Sequence, residues 1–216
     1  MKNKKKICLI GGCGFIGHNL AIELNKSGHE VSIIDNLEVN NLISFKKNQS
    51  PNKNLYISIL ESRLSLLENN KIKFISNDVK NHLSTFKHLE EISPDIIIHL
   101  AAVSHANESN KNPHFTFDNS FRTLEISLDY TIKNKIHLIY LSSSMVYGNF
   151  DNPEVKEEDK CKPLNIYGNL KLLGEKLIKS YKDAFDFSYT IIRPSALYGE
   201  RCVSRRVGQI FIENAL

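Results

Sequence analysis

Lys6-Ile7-Cys8-Leu9-Ile10-Gly11-Gly12-Cys13-Gly14-Phe15-Ile16-Gly17 is the stretch on which the reading of the fold turns. An unbroken apolar run, Ile7 to Ile10, has the pattern of a strand covered on both faces. Phe15 to Lys26 then takes up the periodicity of a helix. Between them glycines 11, 14 and 17 fall in a G-x-x-G-x-x-G pattern. Gly11 permits a tight turn out of the strand, and Gly14 leaves room for a phosphate group at the helix N-terminus. There, free N–H groups and the helix dipole attract anions. Gly17 lets the helix pack close to the sheet. A glycine pattern alone is weak evidence, but strand, turn and helix in this order predict a dinucleotide site.

Outward from this turn, short β-branched runs alternate with amphipathic ones. Lys6–Ile10, Val31–Ile34, Ile72–Ile75, Asp95–Leu100, His137–Leu141 and Ser188–Ile192 read as strands. Phe15–Lys26, Asn54–Glu68, Ser84–Glu91, Pro113–Lys133, Asn165–Ala184 and Val203–Leu216 read as helices. Such alternation predicts an α/β fold, a doubly wound parallel sheet with right-handed crossovers and helices on both faces. Asn36–Asn54 reads as a polar surface loop with room for one short helix, and Asp151–Pro163 as a charged loop.

The 216 residues are 41% hydrophobic and 24% charged, enough for one good core. A net charge of +4 without a basic stripe argues against a nucleic-acid binder. The lysines at 2, 4, 5 and 6 are followed by too few apolar residues for a signal peptide, and no run approaches a membrane span. Cys8, Cys13, Cys161 and Cys202 are scattered, so reduced cytoplasmic thiols are expected, with no metal site.

Two further features carry chemistry. Asp35 ends the second strand, where a carboxylate accepts hydrogen bonds from the adenosine ribose and repels a 2′-phosphate. The residues after it, Asn36 and Leu37, bring no arginine, so NAD is favoured over NADP. Tyr167 and Lys171 stand at i and i+4 on a predicted helix and share a face. A phenol ionises at about 10, and a neighbouring ammonium beside an oxidised nicotinamide would favour the phenolate as a base. Alone, such a pair is most often only local. Here it comes after a strand ending in Ser142-Ser143-Ser144-Met145-Val146-Tyr147-Gly148, at the carboxyl edge where open α/β sheets bind ligands. For any single serine there, ordinary turn chemistry competes with a site role.

Taken together, these motifs resemble the extended short-chain dehydrogenase/reductases, specifically the NAD-dependent nucleotide-sugar epimerase/dehydratase family. The resemblance runs nearly the whole chain in order. It implies a Rossmann-type NAD-binding domain over residues 1–200. Cofactor contacts are implied for Gly11, Gly14, Phe15, Ile16, Gly17, Asp35, Asn36, Asp78, Val79, Leu100, Ala101, Ala102, Asn119, Tyr167 and Lys171. It implies Ser143, Tyr167 and Lys171 as catalytic residues, and substrate contacts at Ser104, Ser143, Ser144, Tyr167 and Arg193. The dehydratases of the family carry an Asp-Glu pair after the active hydroxyl, where this chain has Ser144-Met145. That favours a UDP-sugar 4-epimerase, with a dehydratase, a reductase or a non-catalytic NAD-binding domain as alternatives. Asn54–Glu68, with Tyr56 and Arg63-Leu64-Ser65-Leu66-Leu67, resembles the extra segment of the uronate 4-epimerases. Ala196 stands where many members place a substrate-contacting asparagine, and Ile166 where a proline often precedes the tyrosine. Relatives dimerise through helices matching Pro113–Lys133 and Asn165–Ala184, which implies a homodimer. Members also continue into a small nucleotide-gripping domain. Residues 201–216 are expected to begin it, with the remainder missing from this chain.

Overall fold

The computed structural model describes residues 4–47, 52–103, 106–150, 153–203 and 207–215. Its centre is a six-stranded sheet. The strands are β1 (Lys6–Ile10), β2 (Glu30–Asp35), β3 (Lys73–Ser76), β4 (Ile96–His99), β5 (His137–Leu141) and β6 (Ser188–Ile192). All neighbours are parallel, in the order β3-β2-β1-β4-β5-β6. This is the doubly wound arrangement expected, and each expected strand lies within a residue or two of its place.

Because successive side chains on a strand point to opposite faces, the continuous apolar strands feed two cores at once. Cys8, Ile10, Ile34, Ile97, Leu138 and Tyr140 face one side. They meet α4 (His82–Ile92), α7 (Thr123–Asn134) and α8 (Ile166–Phe185) through Leu89, Leu124, Leu128 and Ile178. Ile7, Leu9, Val31, Ile33 and Ile98 face the other. There they meet α1 (Phe15–Lys26) and α3 (Lys53–Asn69) through Ala21, Ile22 and Leu67. Leu9, Ile10, Ile33 and Ile34 are fully buried. Each such aliphatic side chain contributes roughly 1.5–3 kcal/mol from removal of its surface from water.

Three helical expectations change. The single helix expected over Pro113–Lys133 is α6 (Pro113–Phe117), a π-turn (Asp118–Arg122) and α7. One extra residue in that turn rotates α7 relative to α6, a feature that tends to occur at functional sites. The short α5 (Ala106–Lys111) falls where the sequence predicts only connection, since its polar residues carry no apolar period. The last helix, α9 (Val207–Ala215), begins later than Val203. The loop after β2 does hold one short helix, α2 (Leu42–Lys47).

Candidate active site

An open cleft lies at the carboxyl ends of β1, β2, β4 and β5. The strand order reverses across β1 and β4, which is where doubly wound sheets place their ligands.

The glycine turn forms its floor. Gly11 has φ +78°, which favours glycine, and a Cβ there would sit 2.7 Å from the Ala101 nitrogen. The segment Leu100-Ala101-Ala102 after β4 can therefore lie against the turn. A Cβ on Gly17 would run into the Gly12 carbonyl, so α1 packs on the turn only with glycine there. Gly14 differs: its nearest neighbour would be 3.5 Å away, so space over it is open. The first turn of α1 has no side-chain cap, which leaves its N–H groups for an anion.

Asp35 lines the cleft at the end of β2. Its carboxylate accepts from the Cys13 N–H at 2.9 Å and the Leu37 N–H at 2.7 Å. Burial pushes its pKa up, and these two donors pull it down. The carboxylate thus ties the glycine turn to the loop after β2. Asn36, Asp78, Val79, Phe15 and Ile16 complete this end. Asn119 is brought into the wall by the π-turn. Its amide donates to the Phe115 carbonyl at 2.9 Å and its oxygen accepts from Lys80 at 3.3 Å.

The other end holds the hydroxyl cluster. After β5 the chain makes a short 3₁₀ turn, Ser144–Val146. Ser143 caps it, accepting from the Met145 N–H at 3.2 Å and keeping its own proton for another acceptor. Asn165 caps α8 through the Gly168 N–H at 2.8 Å. A Cβ on Gly168 would lie 2.6 Å from the Met145 carbonyl, so the start of α8 is pressed onto the turn. Ser143, Tyr167 and Lys171 consequently line the same cleft. Lys171 is 5% exposed, and its ammonium donates to the Leu141 carbonyl at 2.6 Å. It lies 4.9 Å from the Tyr140 ring centre and 6.0 Å from that of Tyr167. Burial pushes it down to about 7, with the Glu175 carboxylate pulling the other way.

Not every expected residue faces the cleft. Arg193 turns away: its guanidinium donates to Glu175 at 2.9 and 2.6 Å, to the Tyr147 hydroxyl at 2.8 Å and to the Glu157 carbonyl at 2.9 Å. It braces the wall from behind. Ser144 gives its N–H to the Pro194 carbonyl at 2.9 Å and does not line the cleft. Ser104 lies outside the described residues. Two contributors escape the sequence reading. Glu175, one turn beyond Lys171, also accepts from Ser142 at 2.5 Å; its i+4 spacing is the available signal. Arg63 lines the cleft from α3, which corrects the expectation of no arginine near Asp35. It is 28 positions further along the chain, so only the packing of α3 reveals it.

Among the described residues no group of three His, Cys, Asp or Glu could hold a metal ion, and no helix is long and apolar enough to cross a membrane.

Comparison with known proteins agrees with this geometry. The chain is 31% identical over 202 residues to a putative UDP-glucose 4-epimerase of Methanocaldococcus jannaschii, covering 90% of this chain and 57% of that one. It is 29% identical over 191 residues to UDP-arabinose 4-epimerase 1 of Arabidopsis thaliana, covering 87% and 42%. Among solved structures, the UDP-glucuronic acid 4-epimerase from Bacillus cereus in complex with UDP-glucuronic acid and NAD superposes with a TM-score of 0.82. That match is 27% identical and covers 97% of this chain and 62% of the other. The chain thus spans about half the length of the curated relatives it matches. The model of the NAD dependent epimerase/dehydratase family matches residues 7–216, so the chain belongs to that family.

Proposed function

We propose that this chain is the cofactor-holding and catalytic part of an NAD-dependent UDP-sugar 4-epimerase. One observation carries the reading: a single cleft holds the Gly11–Gly17 turn and Asp35 at one end and Ser143, Tyr167 and Lys171 at the other.

The residues present fit a dinucleotide. The open space over Gly14 and the uncapped start of α1 suit a diphosphate. Asp35 at the end of β2 suits a ribose diol. Asp78 and Val79 would border the adenine, and Asn119 and Leu100 to Ala102 the middle of the cofactor. When bound, NAD supplies a hydride acceptor that later returns the hydride to the same sugar carbon. Tyr167 takes the proton of the sugar hydroxyl and gives it back. Ser143, with its own proton unspent, donates to the sugar oxygen and holds it in line with Tyr167. Lys171 places a positive charge beside the Tyr167 ring and would hold the nicotinamide ribose of the bound cofactor. No carboxylate comes directly after Ser143, so the cluster has no acid suited to expelling water from the sugar. This supports epimerisation over dehydration.

The same reading places the substrate's nucleotide outside residues 1–200, with residues 201–216 beginning the region that grips it. It makes the protein a cytoplasmic homodimer pairing through α6, α7 and α8; Phe117 and Leu173, 43% and 49% exposed, support that surface. The test is Tyr167→Phe. The variant should keep NAD bound and lose sugar interconversion, with a rate at least about 100-fold lower. A Tyr167→Phe protein with wild-type turnover contradicts the assignment.

A further inference from the structure

We propose that Arg63 is the cation that grips the diphosphate of the bound dinucleotide, an inference that rests on the cofactor reading above.

Arg63 is 1% exposed and heads the largest fully buried side chains of the protein, yet it lines the cleft shared by Gly11, Gly14 and Asp35. Its Nε donates to the Arg201 carbonyl at 3.1 Å, and its Nη2 donates to the same oxygen. One carbonyl therefore holds two arms of the fork, and Nη1 keeps its hydrogens. Among the described residues Arg63 forms no ion pair. The nearby carboxylate, Asp35, is committed to the N–H groups of Cys13 and Leu37. A buried guanidinium without an anion is unfavourable, and burial lowers its pKa to about 10. Asp35 attracts the guanidinium through space without pairing with it, so no anion meets the fork directly.

The neighbourhood says which anion completes it. The open, uncapped start of α1 borders the same cleft and attracts phosphate. A guanidinium fork matches phosphate oxygens in shape and in number of donors. The ribose 2′-position is a poorer candidate for a phosphate, because Asp35 would face it with like charge. The fork is also preset. Tyr56 and Leu60, on the same helix, pack against Val203, which fixes the loop that presents the Arg201 carbonyl. Helix α3 thus has a task beyond covering the sheet: it delivers a charge to the cleft that the glycine turn lines.

The experiment titrates the chain with adenosine, ADP, NAD and NADP by calorimetry, for the wild type, Arg63→Gln and Arg63→Lys. Melting of the ligand-free proteins is measured alongside. Gln keeps a donor for the Arg201 carbonyl and removes the charge. Its affinity for ADP and NAD should fall roughly 10- to 100-fold, with adenosine unchanged within about 2-fold. Arg63→Lys should recover part of the loss, because the charge returns without the fork. Wild-type affinity of Arg63→Gln for NAD overturns the proposal. So does an equal loss for adenosine and ADP, which makes Arg63 a clamp for the 201 loop only, or a loss confined to NADP. If Gln does not fold, Arg63→Lys decides: ADP affinity lost only as far as adenosine affinity overturns it. A wild type that binds neither ADP nor NAD fails earlier, at the cofactor reading itself.

Discussion

Glu175→Gln removes one charge from a buried polar cluster and changes little else in shape. Glu175 is 1% exposed and accepts from Arg193 at 2.9 and 2.6 Å and from Ser142 at 2.5 Å. Deleting one partner of a buried ion pair costs about 3–5 kcal/mol, because the other charge stays buried without compensation. Arg193 keeps its bonds to Tyr147 and the Glu157 carbonyl, and its side chain is 14% exposed. The lower end, about 3 kcal/mol, is therefore expected. Typical domains have only about 5–15 kcal/mol in total. With a urea dependence of about 2–3 kcal/mol per molar, the unfolding midpoint should drop by roughly 1–1.5 M. Circular dichroism in urea measures it. The double variant Glu175→Leu/Arg193→Met, which removes both charges and fills the space, should be more stable than Glu175→Gln. A Glu175→Gln midpoint equal to wild type, or a double variant less stable than the single, refutes the reasoning.

Gly14→Ala and Gly17→Ala should part company. The first has room for a methyl group and should melt like wild type while losing NAD affinity; the second meets the Gly12 carbonyl and should lose about 1–3 kcal/mol of stability. Melting curves with and without NAD separate them. Two buried imidazoles contribute to the acid limb of the pH dependence. Burial pushes His18 down to about 4 and His99 to about 3, from an unfolded value near 6.5. Below pH 6.5 the unfolded chain takes up protons that the folded chain refuses, so stability falls as pH drops toward 4. Each histidine should cost roughly 2 kcal/mol by pH 5, and His99→Gln should flatten the acid limb of a stability–pH curve. An unchanged slope contradicts this.

How much the sequence disclosed depends on the range of the forces involved. Strand β1, the glycine turn and α1 are local, and each residue there agrees with its neighbours; the start and end of α1 coincide with the expected Phe15–Lys26. The continuous apolar strands announce a sheet buried on both sides, and Ser143, Tyr167 and Lys171 meet because a parallel sheet places strand ends together. The π-turn at Asp118–Arg122 is not legible, since one inserted residue leaves no trace in an apolar period. Arg193 reads as a substrate contact and instead braces Glu175, a choice made by tertiary packing between α8 and the segment after β6. The resemblance singles out the Arg63 segment but not its place in the cleft, which depends on how α3 lies on α1 and on the 201 loop.

The most direct test incubates the full-length protein with NAD and, in turn, UDP-glucose, UDP-galactose and the two corresponding uronates. The sugars are followed by NMR, and the reduced cofactor by its absorbance. An NAD-dependent 4-epimerase interconverts one pair of C4 epimers with no build-up of free NADH. Tight NAD binding with no interconversion of any pair, or steady release of NADH, would contradict it.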